Sequence, residues 1–316
     1  MALFLREADV QRLLSMELAL EAVEEAFRQQ GLGMAANNPR IRVLLPTGQL
    51  NVMAAGIPSM GVLGFKAYSV FGGGVAWHFL LYSAEAGELL AIIEANHLGR
   101  LRTGAASGVA TKYLARSDAR TVGIIGTGFQ ADAQLMAVCK VRSIEQINAY
   151  SRNRERREAF CTWMTDTLET PVTPVNTLED AVQGVDIAIT MTTATSPVLK
   201  GNWLKAGAHI NAAGSNALIR RELDETALQR SRLIVVDSKE QAKIEAGDFL
   251  APIQKGTLGW DQIHELGEVV IGGLGRKSQD EITLFKSLGV ALEDVAVAAK
   301  VYERALQEDV GDRLLL

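Results

Sequence analysis

Leu13, Leu14, Leu18, Ala22, Val23 and Phe27 recur at helical spacing, which predicts a helix over residues 7–31 with Gly31 placed to end it. The period then shortens. Residues 41–45, 50–54, 64–70, 77–83 and 89–94 are short apolar or alternating runs separated by Pro and Gly. Consecutive strands with tight turns read as an antiparallel or mixed sheet. Residues 105–115 are rich in small side chains and read as a buried helix.

The pattern changes near Asp118. Apolar β runs at 121–125, 146–150, 186–191, 209–212 and 233–237 alternate with helical stretches at 130–141 and 154–168. Strands alternating with helices predict βαβ units and a parallel sheet. An apolar-striped helix over 291–306 closes the chain and is expected to pack back on the first part. The expected fold class is therefore α/β: a dinucleotide-binding domain of Rossmann type over 115–289, and an α+β domain from 1–114 with 290–316.

Composition agrees with such a molecule. Of the 316 residues, 48% are apolar and 22% charged, enough to bury two cores without staples. The formal net charge is −5, and the one arginine-rich stretch, 152–157, is interrupted by Asn153 and Glu155. That excludes a concentrated basic face for nucleic acid. Cys139 and Cys161 form no CxxC and have no His at ligand spacing, so no metal site is expected. No apolar run reaches the ~20 residues that span a bilayer, and charges follow the short apolar start at once. No membrane association and a cytoplasmic location are the expectations.

Gly126-Thr127-Gly128-Phe129-Gln130-Ala131 stands between an expected strand and an expected helix. Gly126 permits the tight turn, Gly128 lets backbone approach a pyrophosphate, and Ala131 is small enough for close helix–strand packing. The helix N-terminus adds free N–H groups and partial positive charge. A nicotinamide dinucleotide is the implied ligand. The next strand ends at Ser151-Arg152, where NAD enzymes usually place an acid for the ribose hydroxyl. A hydroxyl and a guanidinium suit a 2′-phosphate, which favours NADP(H) over NAD(H). Thr190-Met191-Thr192 ends a further strand at the end where such sheets line their ligand crevice.

Isolated cations stand among apolar neighbours at Arg40, Arg42, Lys66 and Arg102. A buried cation needs a carboxylate, from the protein or from a ligand, and spacing leaves both readings open. No pair of acids stands in an obvious acid/base setting. His78, His209 and His264 read as structural, as does Tyr68.

These residues carry a resemblance. Gly64-Phe-Lys66, Leu101-Arg102-Thr103-Gly-Ala-Ala, Gly126-Thr-Gly128, Asn211-Ala-Ala-Gly214-Ser215-Asn216, Leu284-Phe-Lys-Ser287-Leu-Gly289-Val and Glu293-Asp-Val-Ala, in this order, resemble the ornithine cyclodeaminase/μ-crystallin family over nearly the whole chain. The resemblance implies a homodimer whose substrate and dimerisation domain is the α+β one. It implies that Arg40, Lys66 and Arg102 grip the carboxylate of an amino or imino acid, and that Thr103, the Gly126 turn and the Gly214-Ser215 stretch serve the cofactor. Two departures matter. Cyclodeaminases carry acids at the positions of Asn51 and Asn216, and an amide cannot accept a proton as a carboxylate does. The resemblance then points to the family's reductases, acting on a ketimine, on Δ1-pyrroline-2-carboxylate or as an alanine dehydrogenase. A cyclodeaminase converting ornithine to proline and ammonia, and a non-enzymatic NADPH-binding protein, are the alternatives.

Overall fold

A computed structural model describes residues 2–315. The chain forms two compact units: one runs up to Ala105 and resumes from Gly289, the other is Ala106–Leu288. The division falls inside the helix Asn96–Leu114, where the sequence places it after that helix.

The first unit is built on a mixed sheet. Its strands are β1 (Ala2–Leu5), β2 (Ala36–Asn37), β3 (Ile41–Leu45), β4 (Gly48–Ile57), β5 (Val62–Phe71), β6 (Gly74–Ser83) and β7 (Leu89–Glu94), with the last strand of the chain, Asp312–Leu314, on the far edge. β4 to β7 form an antiparallel meander, while β1 runs parallel to β7. The expected helix over 7–31 is two helices, Glu7–Leu13 and Met16–Gly31. Ser15 starts the second by accepting a hydrogen bond from the Leu18 amide, a cap that stabilises by about 1 kcal/mol. The left-handed residue after it is Gly33, at φ +70°, and Gly31 remains helical. The helix Ala291–Glu308 covers β4 and β5 and packs against Met16–Gly31. Beyond its first turn its inner face is Ala and Val, which lets it lie close to the sheet.

The second unit is a parallel sheet between helices. Its strands are β8 (Thr121–Ile125), β9 (Gln146–Tyr150), β10 (Val172–Pro174), β11 (Ile187–Thr190), β12 (His209–Ala212), β13 (Ser231–Val236), β14 (Ile263–Glu265) and β15 (Ile282–Lys286). The order is β10-β9-β8-β11-β12-β15-β13-β14, every pairing parallel. The chain winds outward from β8 to β9 and β10, then returns to the other side at β11. That reversal makes the carboxyl ends of β8 and β11 the switch point, where doubly wound sheets bind ligands. Strands buried on both faces read as continuous apolar runs, and β8 and β11 nearly do so, whereas β12 buries His209 and Asn211 as well. No described helix is long and apolar enough to cross a membrane.

Candidate active site

The turn after β8 has the geometry its glycines require. Gly126 adopts φ +104°, and a Cβ there would lie 2.2 Å from the Met191 carbonyl. Only glycine fits a positive φ with backbone so close. At Gly128 the reverse holds: it is exposed, and a Cβ would meet nothing within 4 Å. The helix Ala131–Val141 starts here, and its cap residue Gln130 makes no side-chain capping bond. Gln130 Oε1 is buried without a hydrogen-bond partner. A glycine bend firm behind and open in front, at the end of a helix, fits a pyrophosphate.

Thr127 Oγ1 donates to Ser151 Oγ at 2.8 Å, tying this turn to the end of β9. Phe129 is exposed, as is Arg152. The buried guanidinium of this region belongs to Arg157, which sequence spacing does not single out. It donates to the Ser151 carbonyl at 2.9 Å and to Asn176 Oδ1 at 3.3 Å, and stacks over the Tyr150 ring. Thr190 and Ser215 are fully buried, whereas Met191, Thr192, Gly214 and Asn216 are half-buried. Thr192 and Gly214 both donate their amides to Glu222, a residue without prior signal in the sequence.

His209 is a core residue. Its Nδ1 lies 2.9 Å from Thr283 Oγ1, and burial, with Arg276 second, lowers its pKa to about 3, so the ring is neutral. Cys139 and Cys161 are free thiols, raised by burial to about 12 and about 11. Among the described residues no group of His, Cys, Asp or Glu could hold a metal ion.

The first unit carries a separate ionic cluster. Its buried charged side chains, among the described residues, are Arg40, Lys66, Arg102, Glu293 and Asp294. Lys66 reaches inward from β5 and donates to Asp294 Oδ1 at 2.7 Å. Arg102, from the helix Asn96–Leu114, donates through Nε to the same oxygen at 3.0 Å and through Nη1 to Glu293 Oε2 at 2.7 Å. Arg40 Nη2 donates to the Gly289 carbonyl at 2.9 Å. Gly289 is required here: it holds φ +74°, and a Cβ would stand 2.5 Å from Arg102 Nη1.

The sequence leaves the cations' partners open, and the structure supplies protein acids for Lys66 and Arg102. Glu293 and Asp294 are adjacent and fully buried in the first turn of an otherwise apolar helix. Two acids inside Val-Ala-Leu-Glu-Asp-Val-Ala-Val were the available signal. Three cations still outnumber two carboxylates. Burial, with Arg102 second, lowers the Lys66 pKa while Asp294 holds it up, and the balance leaves it at about 8. For Arg102 burial works downward, but Asp294 and Glu293 prevail and raise it.

Asn51 is buried on β4 opposite Tyr68, whose carbonyl its amide approaches at 3.4 Å, and Arg42 pairs with Asn51 across β3 and β4. Thr103 is buried and donates to the Gly99 carbonyl of its own helix.

Comparison with known proteins finds relatives over nearly the whole chain. The profile of the ornithine cyclodeaminase/mu-crystallin family matches residues 1–309. An alanine dehydrogenase of Archaeoglobus fulgidus is 38% identical over 99% of this chain and 98% of its own. A Δ1-pyrroline-2-carboxylate reductase of Bacillus cereus is 42% identical over 74% of this chain and 73% of its own. The Thermococcus litoralis Δ1-pyrroline-2-carboxylate reductase, solved with NADH and L-proline, superposes with a TM-score of 0.94 at 38% identity, over 99% of this chain and all of that one. On the match across nearly its full length, this chain belongs to the ornithine cyclodeaminase/mu-crystallin family.

Proposed function

We propose that the protein is a nicotinamide-dependent reductase of a small imino acid, of the Δ1-pyrroline-2-carboxylate, ketimine or alanine-dehydrogenase kind. The observation that carries this reading is the charge imbalance of the first unit: three buried cations against two buried acids. A buried cluster rich in positive charge favours an anionic ligand, and a carboxylate matches the planar fork of arginine. Similarity to reductases of imino acids supports the same substrate class.

In this reading Arg40, Lys66 and Arg102 hold the carboxylate, and Glu293 and Asp294 fix the rotamers of Arg102 and Lys66. Gly126, Thr127, Gly128 and Gln130 hold the pyrophosphate, with Thr190, Met191, Thr192, Gly214 and Ser215 along the crevice. A bound reduced nicotinamide supplies hydride to the imine carbon. Lys66, lowered to about 8, supplies the proton to the imine nitrogen. Asn51 and Asn216 are amides, so the chain lacks the two carboxylates a cyclodeaminase needs for proton transfer.

We assign a preference for NADP(H), with NAD(H) accepted. Ser151 and Arg152 follow β9 with no carboxylate at its end, and Arg152 is exposed and available to a 2′-phosphate. We assign a homodimer as well. β3 leaves Ile41, Val43, Leu44 and Leu45 exposed in one run, an apolar edge that a second copy would cover. Two free thiols fit a reducing cytoplasm.

The test is oxidation of NADPH and NADH with Δ1-pyrroline-2-carboxylate, Δ1-piperideine-2-carboxylate, and pyruvate with ammonia. Turnover with at least one is expected, faster with NADPH, and lost in Lys66→Ala. Proline and ammonia from ornithine, without imine reduction, would mark a cyclodeaminase instead.

A further inference from the structure

We propose that Glu222 is a positioning residue for the cofactor crevice: its carboxylate staples the segment after β11 to the segment after β12 and so holds the pyrophosphate turn in its binding form. This rests on the nicotinamide reading above.

Glu222 is fully buried. Its Oε1 accepts from the Thr192 amide at 2.7 Å and from Thr192 Oγ1 at 2.8 Å. Its Oε2 accepts from the Gly214 amide at 2.9 Å. The donors belong to the segments that leave two neighbouring parallel strands at their carboxyl ends, where a doubly wound sheet binds its ligand. One side chain therefore satisfies backbone on both segments at once.

The staple reaches the glycine turn by direct packing. A Cβ on Gly214 would lie 2.0 Å from the Thr192 amide nitrogen and 2.6 Å from Glu222 Oε1. A Cβ on Gly126 would lie 2.2 Å from the Met191 carbonyl and 3.1 Å from Thr192 Cγ2. Gly214, residues 191–192 and Gly126 are thus stacked with no slack. A shift of residues 191–192 must move the Gly126 turn or open a gap behind it.

Glu222 is itself anchored. Asp248 Oδ1 accepts from the Glu222 amide at 2.6 Å and from the Leu223 amide at 2.9 Å, and Asp248 Oδ2 faces Lys286 Nζ at 3.2 Å. The residue type follows from the donors. A carboxylate offers acceptors on both oxygens, whereas a glutamine would turn an NH2 group against one of the backbone N–H groups. Gln at this position keeps the volume and loses one side of the staple.

The experiment is Glu222→Gln in the full chain, with NADH and NADPH affinity read by fluorescence titration, beside melting temperature and steady-state kinetics. We expect affinity for both nucleotides to weaken about tenfold, the effect of one lost bond to a charged group. At saturating nucleotide, KM for the imino acid should stay within about twofold of wild type. A folded Glu222→Gln that binds both nucleotides like wild type overturns the proposal, even if its melting temperature falls, because that pattern is a purely structural role. If Glu222→Gln does not fold, Thr192→Val, which removes the hydroxyl's bond to Glu222 and the one it accepts from the Ala194 amide, carries the test: about threefold weaker binding supports the staple and unchanged binding overturns it. A wild type that binds neither nucleotide overturns the nicotinamide reading and this inference with it. A wild type that binds, with variants that match it, overturns this inference alone.

Discussion

The two units bury charge in opposite ways. In the first, the buried charged side chains among the described residues are three cations and two acids, and both acids bond Lys66 or Arg102. In the second they are six acids, Asp132, Asp186, Glu222, Asp237, Glu245 and Asp248, against Arg157 and Lys286. Three of these acids accept from backbone amides of the crevice and its supports, while Asp186 pairs with Arg116 and Lys205. Asp237 accepts from the Leu288 amide at 2.6 Å, Asp248 from two amides, and Glu222 from two more. Backbone N–H groups carry no net charge, so they stabilise a carboxylate without bringing a cation that would draw in a ligand. The lesson is that the kind of partner separates the proposed binding cluster from carboxylates that hold the fold.

Arg102→Ala is the hardest test of that contrast. It removes the cation that two buried acids share, which costs about 3–5 kcal/mol when a buried pair is broken. Chemical denaturation should show that loss, and imine reduction should disappear with it. Retained turnover would contradict a carboxylate grip.

Lys286→Met attacks the second unit in the same manner. Here Asp248 keeps its two amide donors, so a smaller loss is expected, about 1–3 kcal/mol by the same measurement. If it equals the loss in Arg102→Ala, the distinction between the two clusters fails.

Asp294→Asn sharpens the first cluster. Lys66 is charged below its pKa of about 8 and neutral above, so activity that needs its proton falls as pH rises through about 8. Asp294 is the group that holds this pKa up. Its removal should therefore move the alkaline limb of kcat/KM to lower pH, read from a pH–rate profile. A limb that stays in place separates Lys66 from the titration.

The smallest effect in the resting protein belongs to Gly128→Ala. The added methyl meets nothing within 4 Å, so stability should stay within about 0.5 kcal/mol. Nucleotide binding should still weaken, because the proposed site puts the pyrophosphate in that open space. Gly126→Ala is its foil: at φ +104° and 2.2 Å from the Met191 carbonyl, it should lower the melting temperature as well.

Much of the fold is legible along the chain. The strands at 121–125, 146–150 and 209–212 have the bounds their apolar runs predict. β14, at three residues, is too short to show a period, and β15 hides because its apolar run ends in a lysine that the fold buries completely. The break at Leu14–Ser15 hides because the apolar stripe continues across it while the cap is local. Of the candidate site, the glycine turn is legible and the ion pairs are not. Arg152 is the arginine that spacing offers at the end of β9, yet Arg157 is the one buried there, because one helical turn more carries it back over Tyr150.

The sequence alone determined what depends on near neighbours: the period of each element, the glycine bend between strand and helix, and the presence of cations in apolar surroundings. Tertiary structure decided who meets whom. Lys66 and Asp294 are 228 residues apart, and Arg102 and Glu293 are 191 apart. Backbone conformation is set within a few residues, so a motif can record it. The partner of a buried charge is whichever group the packed helix and sheet bring within 3 Å, and nothing in the local chain records that distance.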